Sequence, residues 1–316
     1  MRASPRPARF VLAPVLLWAL AFTGCREDAT ERIRRARSAV FDKQPDRALN
    51  EYRLALDIVE RDDSPEARVL QARALKGAAD VYYLELRDFR RAAEVYQELL
   101  RTCPEAPESL QARIQLADIL HAHFHDLRGA ITALTGAIDR NAPESAELTY
   151  RVAKLYFELG DYQQASLESR RVQERFETSP FVDDAALLEA QSVGLMEGRA
   201  AEAMKLLQAL VDSHRDSELA PHALYELGKL KAEQGEREAA IELWVRALER
   251  HPDPQVIQNS ISRVRRQIAE RNPVGVGNRQ LALQKGPLPP VKVVKHRTSL
   301  EAAGGTAEEA SRETGA

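Results

Sequence analysis

The sequence predicts an all-α fold, an α-solenoid of about six stacked helix hairpins closed by a capping helix, and three observations carry that reading. Apolar residues recur at helical spacing from about residue 29 to residue 270. Proline-bearing junctions interrupt them roughly every 35 to 40 residues, at Pro65, Pro107, Pro143, Pro180, Pro221 and Pro254. The composition is 44% hydrophobic and 29% charged but only 6% aromatic, and Ala, Leu, Glu and Arg fill much of the middle, which favours helix over sheet. A period of this length marks a solenoid, in which each hairpin buries its apolar face only by stacking on the next. With 316 residues, two cysteines and a net charge of −3, the chain is neither a disordered polyelectrolyte nor a disulfide scaffold. Nothing in its charge points to nucleic acid.

The first element is an address. Residues 1–24 open on the basic run MRASPRPAR and continue into the apolar stretch Phe10–Phe22. That is the layout of a secretory signal, and it is too short for the roughly 20 residues that span a bilayer. Thr23 and Gly24 precede Cys25, and the polar run Arg26-Glu27-Asp28 follows. The arrangement resembles a bacterial lipoprotein signal, although Phe22 stands where that family usually has leucine. The resemblance implies that Cys25 becomes the acylated first residue of the mature chain, with residues 25–28 a short linker. Arg26, rather than Asp, after the cysteine implies sorting to the outer membrane, facing the periplasm. Arg2, Arg6 and Arg9 leave with the signal, so the remainder carries a net −6. An ordinary cleaved signal with an incidental Cys25 is the alternative. Acylation of Cys25 leaves Cys103 as the one thiol, expected to be buried beside Pro104 at a helix end.

Residues 29–253 form the repeat array. Between the prolines lie softer breaks, at Leu86-Arg87-Asp88-Phe89, His125-Asp126-Leu127, Leu159-Gly160-Asp161-Tyr162, Glu197-Gly198-Arg199 and Gln234-Gly235-Glu236, so two helices of about 14 residues fit in each period. A small residue recurs early in each second helix: Ala48, Ala92, Ala130, Ala165, Ala203 and Ala240. Alanine there lets paired helix backbones approach closely, while Tyr96, Tyr156 and Trp244 fill the gaps beside them.

These residues resemble the tetratricopeptide repeat. The sixth unit is the clearest, with Leu224, Leu227, Gly228 and Lys231 in its first helix and Ala240, Trp244, Ala247 and Pro252 in its second. The second unit gives Lys76, Ala79, Asp80 and Tyr83, then Ala92, Tyr96, Leu99 and Pro104. Ser169, Gln191 and Gly194 depart from the pattern, and the first unit carries an insertion around residues 61–65. The resemblance extends to the repeat lipoproteins of the bacterial envelope: outer-membrane assembly lipoproteins, partners of the Tol–Pal system, and pilotins of secretin pores. It implies a non-catalytic scaffold that takes up a partner segment in the concave face lined by the first helices.

In the fourth unit, Val152, Ala153, Tyr156 and Leu159 suit the core, whereas Tyr150, Lys154 and Phe157 fall at i, i+4 and i+7 on another face. Tyr225 and Lys229 repeat the i, i+4 spacing in the sixth unit. These five residues are the candidate partner-binding set, because aromatics and cations in a groove supply anchoring area and orientation. The alternative is that Tyr150 and Tyr225 pack against the preceding unit.

Candidates for chemistry are weaker. His121, His125 and Asp118 share a helix face and suggest a metal site, against which stands a core place for His121 with His123 and His125 at a wet helix end. Asp80 and Asp118 recur in neighbouring units, which suggests either paired carboxylates or hydrogen bonding within each hairpin. The GxG of residues 274–277 follows a helix and opens none, so it is not a dinucleotide motif. No catalytic residue, metal or cofactor is assigned; a metal-dependent enzyme using His121 and His125 is the weakest alternative.

Residues 254–271 read as a capping helix with charges on its outer face. Residues 272–316 read as a disordered tail, basic and proline-bearing up to residue 297 and weakly acidic beyond. The expected protein is a lipid-anchored envelope scaffold whose partner is an envelope protein or peptide segment, with neither nucleic acid nor a small-molecule substrate. A soluble periplasmic adaptor without a lipid is the alternative.

Overall fold

A computed structural model describes residues 28–271 except 61, 63, 141 and 214–216. The signal segment 1–24, Cys25 with its acylation, and the tail 272–316 lie outside the described residues. Among those described, every regular element is helical. The helices are α1 (Ala29–Phe41), α2 (Pro45–Val59), α3 (Pro65–Asp80), α4 (Phe89–Thr102), α5 (Glu108–Phe124), α6 (Leu127–Ile138) and α7 (Ser145–Glu158). They continue with α8 (Tyr162–Arg175), α9 (Val182–Gly194), α10 (Ala200–Ser213), α11 (Ala220–Glu233), α12 (Arg237–Leu248) and α13 (Pro254–Arg271). They follow one another as six hairpins plus α13, which matches the count read from the prolines. The chain divides into two compact units, one up to Ser192 and one from Val193.

Local chemistry sets the boundaries. Pro45, Pro65 and Pro221 sit in first turns, where a missing N–H costs nothing. The second helices of three hairpins start on an aspartate whose carboxylate accepts a backbone N–H: Asp88 from Arg91, Asp126 from Gly129 and Asp161 from Gln164. Each hairpin turn contains one left-handed residue: Lys43, Arg87 and His125 in the first three, then Gly160, Gly198 and Gly235. Glycine adopts that conformation without strain and the other three do not. After α3 the chain runs through a π-helical turn, Val81–Glu85. The N–H of Asp88 then reaches back to Tyr82, six residues away, and that of Asp126 likewise to Leu120. In the fourth and sixth hairpins the same bond spans five residues, from Asp161 to Tyr156 and from Glu236 to Lys231.

In the unit up to Ser192, and likewise in the one from Val193, the helices meet over the predicted alanines. Ala48, Ala92, Ala130, Ala165, Ala203 and Ala240 all have 0% exposure. Four residues on, Tyr52, Tyr96, Leu134, Leu207 and Trp244 are buried, each worth about 1.5–3 kcal/mol in apolar burial. Ser169 takes that place in the fourth hairpin and is buried too. Polar bonds replace the missing bulk there, since the buried Glu189 of α9 accepts from Arg170 at 2.6 Å and from Gln173 at 2.7 Å. Charge-assisted bonds of this kind offset the desolvation of a buried carboxylate. Helix α13 covers α12 with Ile257, Ile261 and Val264, and leaves Arg263, Arg265 and Arg266 outside, as a cap requires. Cys103 is buried, its Sγ 3.4 Å from Gln71 Oε1. No described helix is long and apolar enough to cross a membrane.

Candidate partner-binding face

In the unit up to Ser192 the first helices lie side by side, α1 against α3 and α3 against α5. Long-range polar contacts stitch their faces together. Arg73 pairs with Glu108 at 3.2 Å, Asp118 with Arg151, and His121 with Glu158 at 2.9 Å, each joining a first helix to the next.

The candidate stripe of the fourth hairpin stands on this face. Leu148, Val152, Ala153 and Leu155 commit the other side of α7 to the core, which leaves Lys154 exposed and Tyr150 and Phe157 half-buried. The Lys154 ammonium sits 5.7 Å from the Tyr150 ring centroid, within cation–π reach. Tyr150 stacks on Phe181 at 5.7 Å, and Phe157 meets the edge of Tyr162 at 5.4 Å. Burial, and secondarily the carboxylate of Asp184, push the Tyr150 hydroxyl up to about 12, so it is a neutral donor at any physiological pH. Tyr150 therefore packs toward α9 through the face of its ring. The ring it stacks on, Phe181, belongs to the following unit.

The sixth hairpin repeats the motif inside its own unit. Lys229 Nζ lies 5.8 Å from the Tyr225 centroid and pairs with Glu226 at 2.8 Å. The Tyr225 hydroxyl lies 3.3 Å from Ser260 Oγ of α13, and its carbonyl accepts the Trp244 indole N–H at 3.0 Å. Gly228 makes this possible. A Cβ at that position would lie 2.4 Å from Trp244 Nε1.

One feature of the face escaped the sequence reading. Helices α1, α2, α3 and α5 enclose a cleft of about 320 Å³ whose lining includes Arg37, Tyr52, Arg73, Lys76, Asp80 and Leu84. Gly77 opens it, because a Cβ there would lie 2.3 Å from the Tyr52 ring. Lys76 pairs with Asp80 at 2.7 Å, and Asp80 also accepts from the Tyr96 hydroxyl at 2.7 Å. Burial, then Asp80, drive the Tyr96 hydroxyl well above the usual phenol range. The signal available in the sequence was the pair Arg73 and Lys76, one helical turn apart, just before Gly77.

The chemical candidates separate. Asp80 bonds within its hairpin while Asp118 pairs with Arg151 of α7, so they do not form one carboxylate site. His121 is not a core residue; it is half-exposed because Glu158 of α7 draws it outward. His123 stacks on Phe89 at 3.5 Å, and His125 is the left-handed cap of α5. Among the described residues, no three His, Cys, Asp or Glu side chains converge as a metal would need.

Comparison with known proteins agrees with the geometry. Residues 124–180 and 195–256 match the family described as tetratricopeptide repeat. No curated protein matches the chain in sequence. Among solved structures, the C-terminal part of a tetratricopeptide-repeat protein from Cytophaga hutchinsonii is similar at 13% identity, covering 75% of this chain and 89% of that one, with a TM-score of 0.52. A tetratricopeptide-repeat protein from Parabacteroides merdae is similar at 15% identity, covering 75% and 98%, with a TM-score of 0.44. YrrB, described as a tetratricopeptide-repeat protein with an unusual peptide-binding site, is similar at 18% identity, covering 60% and 91%, with a TM-score of 0.45.

Proposed function

Taking the chain as an array of tetratricopeptide repeats, a fold of protein–protein interaction scaffolds, we propose that it is a non-catalytic scaffold of the bacterial cell envelope. Its acylated Cys25 holds it at the outer membrane, and its first-helix face binds a segment of another envelope protein. The observation that carries the binding reading is the twice-repeated tyrosine–lysine pair, Tyr150 with Lys154 and Tyr225 with Lys229. Each combines a half-buried ring, already ordered by its neighbours, with an ammonium group beside it. Rigid aromatic area costs little entropy to present, and a nearby cation orients an acidic or carbonyl-rich segment. The address rests on the sequence: a basic start, a short apolar stretch, small residues and then Cys25.

Crosslinking pulldown from intact membranes, with a photoreactive residue replacing Lys154, tests both halves. A discrete envelope protein captured from the membrane fraction supports the reading. Recovery of the protein solely from the soluble fraction overturns the anchor, and, with the probe moved to the exposed Glu147 of the same helix, capture unaffected by charge reversal at Lys154 and Lys229 overturns the assigned face.

A further inference from the structure

The cleft enclosed by α1, α2, α3 and α5 is lined by charges that cancel. Arg37, Arg73 and Lys76 stand against Asp80, Glu85 and Glu108. Lys76 is already engaged by Asp80 at 2.7 Å and Arg73 by Glu108 Oε1 at 3.2 Å, while Lys43 holds Glu85 at 3.1 Å. An entering anion meets carboxylates beside the cations, and an entering cation meets the reverse, so the lining selects an uncharged occupant. The rest of the wall is apolar. Tyr52, 3% exposed, lies against the bare Gly77, and Leu84 stands at the rim, 61% exposed. One polar atom is left over. Glu108 Oε2 is buried with no hydrogen-bond partner, although Oε1 of the same carboxylate accepts from Arg73. A buried acceptor in that state is costly, and a donor brought by a ligand removes the cost.

We propose that this cleft is the anchoring pocket of the first-helix face and takes one uncharged, donor-bearing aromatic side chain of the partner segment, tryptophan or tyrosine, whose N–H or O–H bonds to Glu108 Oε2. The inference rests on the reading of that face as the partner-binding one, and it names what the partner presents. A volume of about 320 Å³ is at the low end for ligand pockets, so it admits a side chain rather than a whole ligand. The guanidinium groups of Arg37 and Arg73 and the ring of Tyr52 all favour an aromatic π-system beside them. A hydrogen bond to an ionised acceptor is of the strong kind, and phenylalanine has no donor to make it. Lysine has donors but brings a charge. An aromatic anchor set in a pocket, with an apolar rim such as Leu84 to exclude water, has the composition of an interface hot spot.

The test titrates acetylated, amidated pentapeptides Ala-Ala-Xaa-Ala-Ala into the mature chain carrying Cys25→Ser, with Xaa tryptophan, tyrosine, phenylalanine, aspartate or lysine. Nuclear magnetic resonance follows the Gly77 amide. The expected result is saturable binding of the tryptophan and tyrosine peptides, with the phenylalanine peptide about tenfold weaker and the two charged peptides weaker still. In Glu108→Ala the preference for tyrosine over phenylalanine should vanish, a readout that a merely structural role for Glu108 does not move. Gly77→Ala, whose Cβ would lie 2.3 Å from the Tyr52 ring, should abolish binding. Leu84→Asp, at the exposed rim, should weaken it and serves in its place if circular dichroism shows that Gly77→Ala does not fold. No shift with any peptide, tightest binding of the aspartate or lysine peptide, or equal binding of tyrosine and phenylalanine to the parent chain overturns the proposal. Photocrosslinking at Lys154 reports on the face separately. A Lys154 adduct without peptide binding overturns the pocket and leaves the face, whereas selective peptide binding without the adduct supports the pocket and overturns the face.

Discussion

Gly228→Ala should destabilise the last hairpin, although helix propensity alone predicts the opposite. Alanine in a helix interior is favoured over glycine by about 1 kcal/mol. At this position, however, the added Cβ would stand 2.4 Å from Trp244 Nε1 and 2.6 Å from its Cδ1. The indole is 1% exposed and has no empty side to move into. Displacing it costs about 1–3 kcal/mol in overpacking. The shift also breaks the 3.0 Å bond to the Tyr225 carbonyl, worth about 1 kcal/mol and more if the carbonyl stays buried. Set against the propensity gain, the expected net loss is about 2 kcal/mol. In the chain from Cys25 onward Trp244 is the single tryptophan, so urea unfolding followed by its fluorescence reads the site directly. In a Trp244→Leu background, followed by circular dichroism because the fluorophore is gone, Gly228→Ala should no longer destabilise, since the clash has disappeared. If Gly228→Ala matches or exceeds the parent in stability, the close packing of glycine on indole is wrong.

Other consequences are equally specific. Tyr96→Phe removes a donor from Asp80 and should lower stability by about 1–3 kcal/mol in urea titration, without disturbing secondary structure. Lys154→Glu and Lys229→Glu together should abolish partner capture while keeping the helical circular-dichroism signal, the lost Lys229–Glu226 pair costing about 0.5–1 kcal/mol. The pH dependence of Trp244 unfolding should show His251. Burial and the neighbouring His222 depress its imidazole below the usual range, against a smaller pull upward from Asp253 and Glu226. A depressed imidazole stabilises above the unfolded value of about 6.5, and that contribution is lost as pH falls through its lower folded value. His251→Gln should flatten the decline between neutral and mildly acidic pH; an unchanged slope assigns it elsewhere.

The parts of the fold legible in the sequence were those written locally. The alanine at the start of each second helix, the bulky residue four places on, and the aspartate or glycine of each turn depend on neighbours within one hairpin, and each occupies its expected place. The departure at Ser169 was visible as a missing bulk, but its remedy was not, because Glu189 lies 19 and 16 residues from the groups that bind it. The same limit applies to the candidate site. The tyrosine–lysine pairs are i, i+4 neighbours and could be read off a helical wheel. That Tyr150 meets Phe181 of the following unit depends on how successive hairpins pack, which the i, i+4 spacing does not encode. The cleft around Gly77 and the His121–Glu158 pair depend on the register between first helices 33 to 37 residues apart, which no local pattern encodes.

The central claim is that the first-helix face, and not some other surface, receives the partner at the membrane. Site-specific photocrosslinking in intact cells compares a probe at Lys154 with one at Leu167, an exposed residue on the second helix of the same hairpin. The account predicts a discrete adduct from Lys154, in the membrane fraction, and none from Leu167. Equal adducts from both positions, or an adduct from Leu167 alone, contradict it.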